Sequence, residues 1–136
     1  MNVLIVEDDS VFAGQLTEVL EGWGHRVEWA GTAKEAGERF ARRIPDLVLL
    51  DIFLPDARGD DLIPWFRECS PEIQIISITG YNSRELELRV RQQGVLFYMI
   101  KPIEINDLRS LLEYLSAKGD GSVLHQGAIG ARGRGR

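Results

Sequence analysis

Short apolar runs alternate with amphipathic stretches along most of the chain. Apolar runs of this length, bounded by glycine, proline or charged residues, are typical of buried strands. Five strands are predicted, at Asn2–Val6, Arg26–Trp29, Asp46–Asp51, Ile73–Ile78 and Val95–Ile100. Most of these runs are apolar at consecutive rather than alternate positions, which indicates a parallel sheet covered on both faces.

The stretches between the strands repeat apolar residues every three to four positions, which is typical of helices. Five helices are predicted, at about Ser10–Glu21, Thr32–Arg42, Asp60–Cys69, Asn82–Gln93 and Glu104–Ala117. Strands that alternate with helices predict an α/β fold. Right-handed crossovers then bring the carboxyl ends of all strands to one edge of the sheet, where ligands of open parallel sheets bind.

The composition changes after Ala117. Residues 119–136 are rich in glycine and lack an apolar period, so we predict one domain at 1–118 followed by a flexible tail or a truncated linker. The net charge is −5, and three arginines against one aspartate give the tail +2, which leaves −7 on the domain. So acidic a domain is not expected to bind nucleic acid.

The cellular compartment is predicted from cysteine use and hydropathy. The chain has one cysteine, Cys69, so an intrachain disulfide is excluded and a reducing compartment is favoured. No signal peptide is visible, and the apolar run at 47–50 is far too short to cross a bilayer. We therefore expect a cytoplasmic protein without a membrane partner.

Charged or hydroxyl residues stand at the carboxyl ends of four predicted strands. They are Glu7 and Asp8 after the first, Asp51 at the third, Thr79 at the fourth and Lys101 at the fifth. Carboxylates gathered in one pocket repel each other unless a cation neutralises them. Mg²⁺ favours oxygen ligands and, once bound, would allow a carboxylate to act as a nucleophile toward a phosphoryl group.

In their order and spacing, four segments of the chain resemble the response-regulator receiver domain of two-component signalling. They are 3–9, 45–55, 78–80 and 101–102. Each segment alone is weakly diagnostic, but together they are specific, and the match covers about 2–117. The resemblance implies a doubly wound, flavodoxin-like (βα)5 sandwich with a five-stranded parallel sheet of order 2-1-3-4-5.

The resemblance also implies a role for each residue at the strand ends. It implies Asp51 as the phosphoacceptor and Lys101 as the phosphate-binding lysine. It implies a Mg²⁺ ion bound by Asp51, by Asp8 directly and by Glu7 largely through water. The backbone carbonyl of Phe53 is a further implied ligand.

Other residues correspond to the switching apparatus of the family. Thr79 corresponds to the switch hydroxyl and Tyr98 to the aromatic that moves inward when that hydroxyl engages the phosphoryl group. Gly80 corresponds to a small residue that leaves room for this group, and Pro102 to a proline that commonly follows a cis peptide bond. Tyr81, like Phe53, borders the acceptor. Because both are bulky aromatics, we hypothesise a long-lived phosphoryl group.

The implied partners are a sensor histidine kinase or phosphotransfer protein and a downstream output protein or a missing C-terminal domain. Phosphorylation would alter the face formed by the fourth helix, fifth strand and fifth helix, and the fourth helix is polar enough to shift easily. A phosphorylation-dependent homodimer through Leu96, Phe97 and Tyr98 is one hypothesis. That these residues only extend the core is an equal alternative.

Simpler or different interpretations remain for several residues. Asp9 is expected to cap the first helix rather than bind metal, Tyr98 could be a plain core aromatic, and Thr79 could belong to a simple turn. A phosphohydrolase with an aspartyl-phosphate intermediate would need a second acid beside Asp51, which Ile52 does not supply. A nucleotide-binding doubly wound domain would need a glycine-rich loop after the first strand, which is missing. A signalling switch with only self-phosphorylation and self-dephosphorylation chemistry is therefore favoured over an enzyme.

Overall fold

Five parallel strands pair in the order β2-β1-β3-β4-β5 in the computed structural model, which describes residues 1–119. The strands are β1 (Asn2–Val6), β2 (Arg26–Ala30), β3 (Leu47–Asp51), β4 (Gln74–Thr79) and β5 (Phe97–Ile100). The predicted α/β class and strand order are confirmed. The register pairs Val6 with both Ala30 and Leu50, so β1 and its two neighbours end at the same edge.

The side chains of the strands enter two hydrophobic clusters, one on each face of the sheet. All five residues of β3 are buried. Leu47 and Leu49 contact one cluster, which includes apolar residues of the first and last helices, while Val48 and Leu50 contact the other. Burial on both faces explains why the sequence of this strand lacks alternating polar positions.

Five α-helices connect or follow the strands. They are α1 (Ser10–Gly22), α2 (Ala33–Arg42), α3 (Leu62–Cys69), α4 (Arg84–Gln92) and α5 (Ile105–Gly119). Side-chain oxygens of Asp9, Thr32 and Ser83 accept backbone N–H groups at the amino ends of α1, α2 and α4. Asp9 is thus a helix cap, as expected from the sequence. None of these helices in the described chain is long and apolar enough to cross a bilayer.

The element bounds differ from prediction mainly at loop–helix junctions. The third helix begins as a 3-10 turn at Gly59–Asp61 before α3. Val95 lies before β5 rather than within it, and α5 continues through Gly119, two residues beyond the predicted end. The predicted tail otherwise lies outside the described residues, and its boundary stays a prediction.

Helix α4 is held by a smaller hydrophobic cluster than the other helices. Its buried residues are Leu86 and Val90, which pack with Ile52 and Tyr98. The rest of the helix is polar, including two glutamates in the first turn and two arginines in the last. The polar character seen in the sequence thus corresponds to a helix with little buried surface.

Candidate functional site

Three carboxylates meet at the carboxyl edge of the sheet. Glu7 and Asp8 directly follow β1, and Asp51 is the last residue of β3. One carboxylate oxygen from each of the three lies within 4.8 Å of the others. Glu7 and Asp51 are only 2% and 5% exposed, whereas Asp8 is exposed. The sheet therefore brings together the acidic residues that the sequence singled out.

Lys101 lies between the two buried carboxylates. Its Nζ atom is 2.8 Å from Oε1 of Glu7 and 3.4 Å from Oδ2 of Asp51. Its backbone N–H donates to the carbonyl of Thr79 at 2.8 Å, which anchors the segment after β5 to β4. The peptide bond between Lys101 and Pro102 is cis. One ammonium group therefore lies beside two carboxylates, so the positive charge of Lys101 alone does not neutralise both.

Burial raises the pKa of Glu7 from 4.5 to about 7, although Lys101 and the Asp9 backbone N–H act against the shift. The charge on Asp51 raises the pKa of Glu7 further. For Lys101, burial lowers the pKa, but the hydrogen bond and charge of Glu7 together with the charge of Asp51 outweigh it, so its pKa is raised. Folding thus leaves Glu7 electrostatically strained when it is ionised.

The donor set suits a hard divalent cation. Oε1 of Glu7 is buried and forms an ion pair with the Lys101 ammonium at 2.8 Å. Three acidic side chains with converging oxygens provide the all-oxygen coordination that Mg²⁺ and Ca²⁺ prefer.

The loop after β3 folds tightly over Asp51. The backbone N–H of Phe53 donates to Oδ1 of Asp51 at 3.1 Å, and Phe53 pairs with Arg58 in an antiparallel bridge. The N–H of Gly59 donates to the carbonyl of Ile52 at 2.6 Å. These contacts hold the backbone N–H of Phe53 on the carboxylate of Asp51. That the Phe53 carbonyl is a metal ligand stays a prediction.

Two aromatic rings flank this edge of the sheet. The rings of Phe53 and Tyr81 meet edge to face with centroids 5.9 Å apart. The guanidinium of Arg58 lies 5.1 Å from the centroid of Phe53. The aromatic side chains that lie two residues after Asp51 and after Thr79 thus contact each other.

The hydroxyl of Thr79 is bonded within its own loop. It is fully buried, donates to the carbonyl of Tyr81 at 2.7 Å and accepts the N–H of Tyr81 at 3.0 Å. A Cβ added to Gly80 would meet Cδ of Lys101 at 3.6 Å, an ordinary contact. Packing alone therefore does not require glycine here.

Tyr98 is buried, with 6% of its surface exposed, and its hydroxyl donates to Oδ1 of Asn82 at 2.7 Å. Burial, followed by the charge of Glu87, raises the pKa of this phenol. The neighbouring Leu96 and Phe97 are half-buried against the cluster that includes α1 and α5. Their contacts support the alternative that they extend the core.

Sequence reasoning missed a buried carboxylate in the loop that follows β3. Asp60 is 1% exposed and forms two contacts with Arg58, at 3.1 and 3.2 Å. Arg89 of α4 lies 3.9 Å from Asp60, and the amide of Gln93 donates to the Asp60 backbone carbonyl at 3.3 Å. Asp60 thus links the loop that follows β3 to the end of α4. An acidic residue at a predicted helix start gave no signal of burial.

A second missed link joins the same loop to α2. Asp56 is exposed, yet its carboxylate accepts the backbone N–H groups of Ala33 at 2.8 Å and Lys34 at 3.1 Å. These hydrogen bonds, that of Ala33 first, lower the pKa of Asp56. The sequence gave Thr32 as the cap of this helix but did not indicate a partner from a distant loop.

Comparison with known proteins gives a consistent result. The family model described as "Response regulator receiver domain" matches residues 3–113. The transcriptional regulatory protein ZraR of Escherichia coli O157:H7 is 31% identical over 113 residues, which cover 83% of this chain but 26% of that protein. The chain thus spans about a quarter of the length of this relative.

Solved structures show the same fold. A CheY-like receiver domain from Methanospirillum hungatei JF-1 has a TM-score of 0.81 at 31% identity, covering 89% of this chain and 98% of that one. A Burkholderia pseudomallei response regulator with a phosphorylated aspartic acid, a calcium ion and citrate has a TM-score of 0.75 at 26% identity, covering 90% of this chain and 76% of that one.

Proposed function

The chain belongs to the response regulator receiver family, and on that premise we propose that Asp51 accepts a phosphoryl group in the presence of Mg²⁺. The observation that carries this proposal is the cluster of Glu7, Asp8 and Asp51 beside Lys101. The phosphorylated aspartic acid and calcium ion of the Burkholderia pseudomallei relative support it by analogy. The protein would act as a signalling module whose only chemistry is gain and loss of this group.

The transfer step follows from the groups at the acceptor. A carboxylate oxygen of Asp51 attacks the phosphorus of a phosphohistidine, forming an O–P bond while the N–P bond breaks and its electron pair returns to the imidazole. Lys101, 3.4 Å from Asp51, faces the charge carried by the incoming oxygens.

Glu7, Asp8 and Asp51 together with the backbone carbonyl of Phe53 would hold Mg²⁺. When bound, this ion neutralises charge on the acceptor and on the phosphoryl group. The three side chains hold the site at the end of β1 and β3, and Phe53 is kept there by its N–H bond to Asp51. Ionised Glu7 becomes less strained once a cation lies beside it.

Switching requires Thr79 to change its hydrogen bond. Its hydroxyl now donates to the carbonyl of Tyr81, and we infer that it would donate to a phosphoryl oxygen on Asp51 instead. That exchange would release the loop before α4, where Asn82 holds Tyr98. The face formed by α4, β5 and α5 would then differ between the two states.

The donor would be a sensor histidine kinase or phosphotransfer protein, and the output a separate protein or a domain outside this chain. Transcriptional regulation is the named role of the longer relative ZraR and supports a DNA-binding output elsewhere, not in this acidic domain. The homodimer predicted through Leu96, Phe97 and Tyr98 stays a prediction. Sedimentation of Phe97→Asp with and without phosphorylation would test it.

Replacing Asp51 with asparagine tests the proposed function directly. We expect the unaltered protein, incubated with Mg²⁺ and a small-molecule phosphodonor such as acetyl phosphate, to gain one phosphoryl group by intact mass. Asp51→Asn and a chelator should each abolish the gain. Asp61→Asn, which alters an exposed aspartate near the same loop, should leave it intact. Absence of any gain in the unaltered protein would contradict the proposal.

The aromatic pair predicts a slow loss of the phosphoryl group. In the receiver family the positions of Phe53 and Tyr81 border the acyl phosphate, and we infer that the paired rings would limit the approach of water. The double variant Phe53→Asn with Tyr81→Glu should hydrolyse its acyl phosphate about tenfold faster, equivalent to about 1.4 kcal/mol of barrier. Decay of the phosphorylated mass after donor removal measures this rate.

A suitable control for the aromatic pair is Leu88→Asn, which alters an exposed apolar residue on α4. Its acyl-phosphate lifetime should match that of the unaltered protein. An unchanged lifetime in the double variant would show that the aromatic pair does not protect the phosphoryl group.

A further inference from the structure

Two residues of β2 form hydrogen bonds with the backbone of Glu7, one with its N–H and one with its carbonyl. The backbone N–H of Glu7 donates to the carbonyl of Ala30 at 2.9 Å, as a continuation of the β1–β2 ladder. The carbonyl of Glu7 accepts the indole N–H of Trp29 at 2.6 Å. The second contact is made by a side chain, so it depends on the identity of residue 29.

Trp29 combines partial exposure with a polar contact. It is 40% exposed and lies on the edge strand β2, so only part of the residue is buried. The indole nitrogen is its single polar atom and can only donate. The ring also lies close to Gly31, where an added Cβ would meet Cζ2 of Trp29 at 3.5 Å and the carbonyl of Glu7 at 3.9 Å. The indole ring of Trp29 and the carbonyl of Glu7 therefore both lie next to Gly31, which has no side chain.

The Glu7 carbonyl belongs to the peptide group that leads into Asp8. Beyond Asp8, the N–H of Asp9 donates to Oε2 of Glu7 at 3.0 Å, and Asp9 caps α1. Asp8 is thus fixed by hydrogen bonds on both sides in the chain, although its own side chain is exposed. The direction of its carboxylate depends on how firmly the preceding peptide is held.

We propose that Trp29 is a positioning residue for the divalent-cation site, acting through the carbonyl of Glu7 on the carboxylate of Asp8. The inference rests on the proposed function, because it takes the cluster of Glu7, Asp8 and Asp51 as that site. Trp29 does not contact the cation. It restricts the peptide that carries one ligand, as outer-shell partners of metal ligands do.

The test compares Mg²⁺ affinity in matched tryptophan variants. Trp29→Phe keeps an aromatic ring and removes the donor. Trp65→Phe changes another partly exposed tryptophan, 37% exposed, which packs on Phe40 away from the cluster. We expect Trp29→Phe to raise the Kd for Mg²⁺ about tenfold, and Trp65→Phe to leave it unchanged. Calorimetric titration gives both values, and thermal unfolding in chelator verifies that each variant is folded.

A second measurement uses the unaltered protein and does not depend on a variant that folds. The indole N–H resonance of Trp29 in a proton–nitrogen spectrum should shift during a Mg²⁺ titration with the Kd found by calorimetry, while that of Trp65 should not. An unmoved Trp29 resonance, or a Kd in Trp29→Phe within about twofold of the original, overturns the proposal. Absence of Mg²⁺ binding by the unaltered protein would instead remove the cation site itself, and both proposals with it.

Discussion

Replacing Gly59 with alanine is expected to destabilise the protein by about 3 kcal/mol or more, the upper range for forced overpacking. A Cβ at this position would overlap the backbone carbonyl oxygen of Asp51. It would also lie 3.0 Å from the carbonyl carbon of Asp51 and 3.1 Å from the Cα of Ile52. These are backbone atoms of a buried strand end, so no side-chain rotation relieves the clash.

The same change should impair phosphorylation. The loop must move away from β3 to admit the methyl group, which breaks the 2.6 Å bond from Gly59 to the carbonyl of Ile52. Phe53 lies in this loop between Ile52 and Gly59, and its N–H would move away from the carboxylate of Asp51. Phosphorylated mass per hour under a fixed donor concentration should therefore fall in any fraction of Gly59→Ala that still folds.

Gly14→Ala is the matched control. Gly14 lies on the exposed side of α1, and an added Cβ would meet nothing within 4 Å. Alanine should therefore stabilise the protein by about 0.5–1 kcal/mol, since it favours the helical backbone. Urea denaturation with a common m-value measures both variants. A Gly59→Ala midpoint equal to that of the original would disprove the steric argument.

The second large effect is a fall in stability of the metal-free protein as the pH rises from about 4.5 through 7. Burial raises the pKa of Glu7 from 4.5 to about 7, so between these values the folded protein holds a proton that the unfolded chain has lost. The stabilisation contributed by protonated Glu7 is fully present below about pH 4.5 and is lost above about pH 7. At about 1.4 kcal/mol per pKa unit, the change is about 3 kcal/mol at most.

Asp56 acts in the opposite direction and in a lower pH range. Its pKa is lowered by the backbone bonds to Ala33 and Lys34, so its contribution is lost as the pH falls through its folded pKa. His25, whose pKa is lowered from 6.5 by burial and by the N-terminal charge, also acts in the opposite direction and does so within the window between 4.5 and 7. Urea denaturation across this range in chelator, with the unaltered protein and Glu7→Gln, isolates the contribution of Glu7, because His25 is the same in both. The glutamine variant should lose the fall in stability with rising pH.

Mg²⁺ should reverse this pH dependence. A bound cation favours ionised Glu7, so binding releases a proton below pH 7 and the affinity rises with pH in the same window. Saturating Mg²⁺ should therefore stabilise the protein more at about pH 7.5 than at about pH 5. An equal slope in Glu7→Gln and in the unaltered protein would contradict the assignment to Glu7.

The sequence predicted most of the site because its residues mark the ends of strands. Because the strands are parallel, their carboxyl ends lie at one edge of the sheet, and Glu7, Asp51 and Lys101 are brought close together. Strand identity came from continuous apolar runs such as β3, a strong signal. The placement of the acidic cluster was therefore a consequence of topology and needed no side-chain detail.

The missed residues act through contacts that have no local pattern. Asp60 is buried only because Arg58 and Arg89 approach it from two elements, and Trp29 matters because its indole reaches a carbonyl across the sheet. The sequence left Phe97 equally suited to an interface and to the core, and its half-buried contact with the cluster of α1 and α5 favours the core. Such long-range packing overrides local propensity.

Helix α4, with its cluster of Ile52, Leu86, Val90 and Tyr98, has a consequence for amide hydrogen exchange. Little apolar surface opposes its opening, so its amides should exchange through a local opening well below the global free energy of unfolding. Amides of β1 and β3, buried on both faces, should exchange only when the whole domain unfolds. We therefore expect α4, the helix that follows Thr79, to be a separate cooperative unit that unfolds and refolds while Asp51 and β3 stay folded.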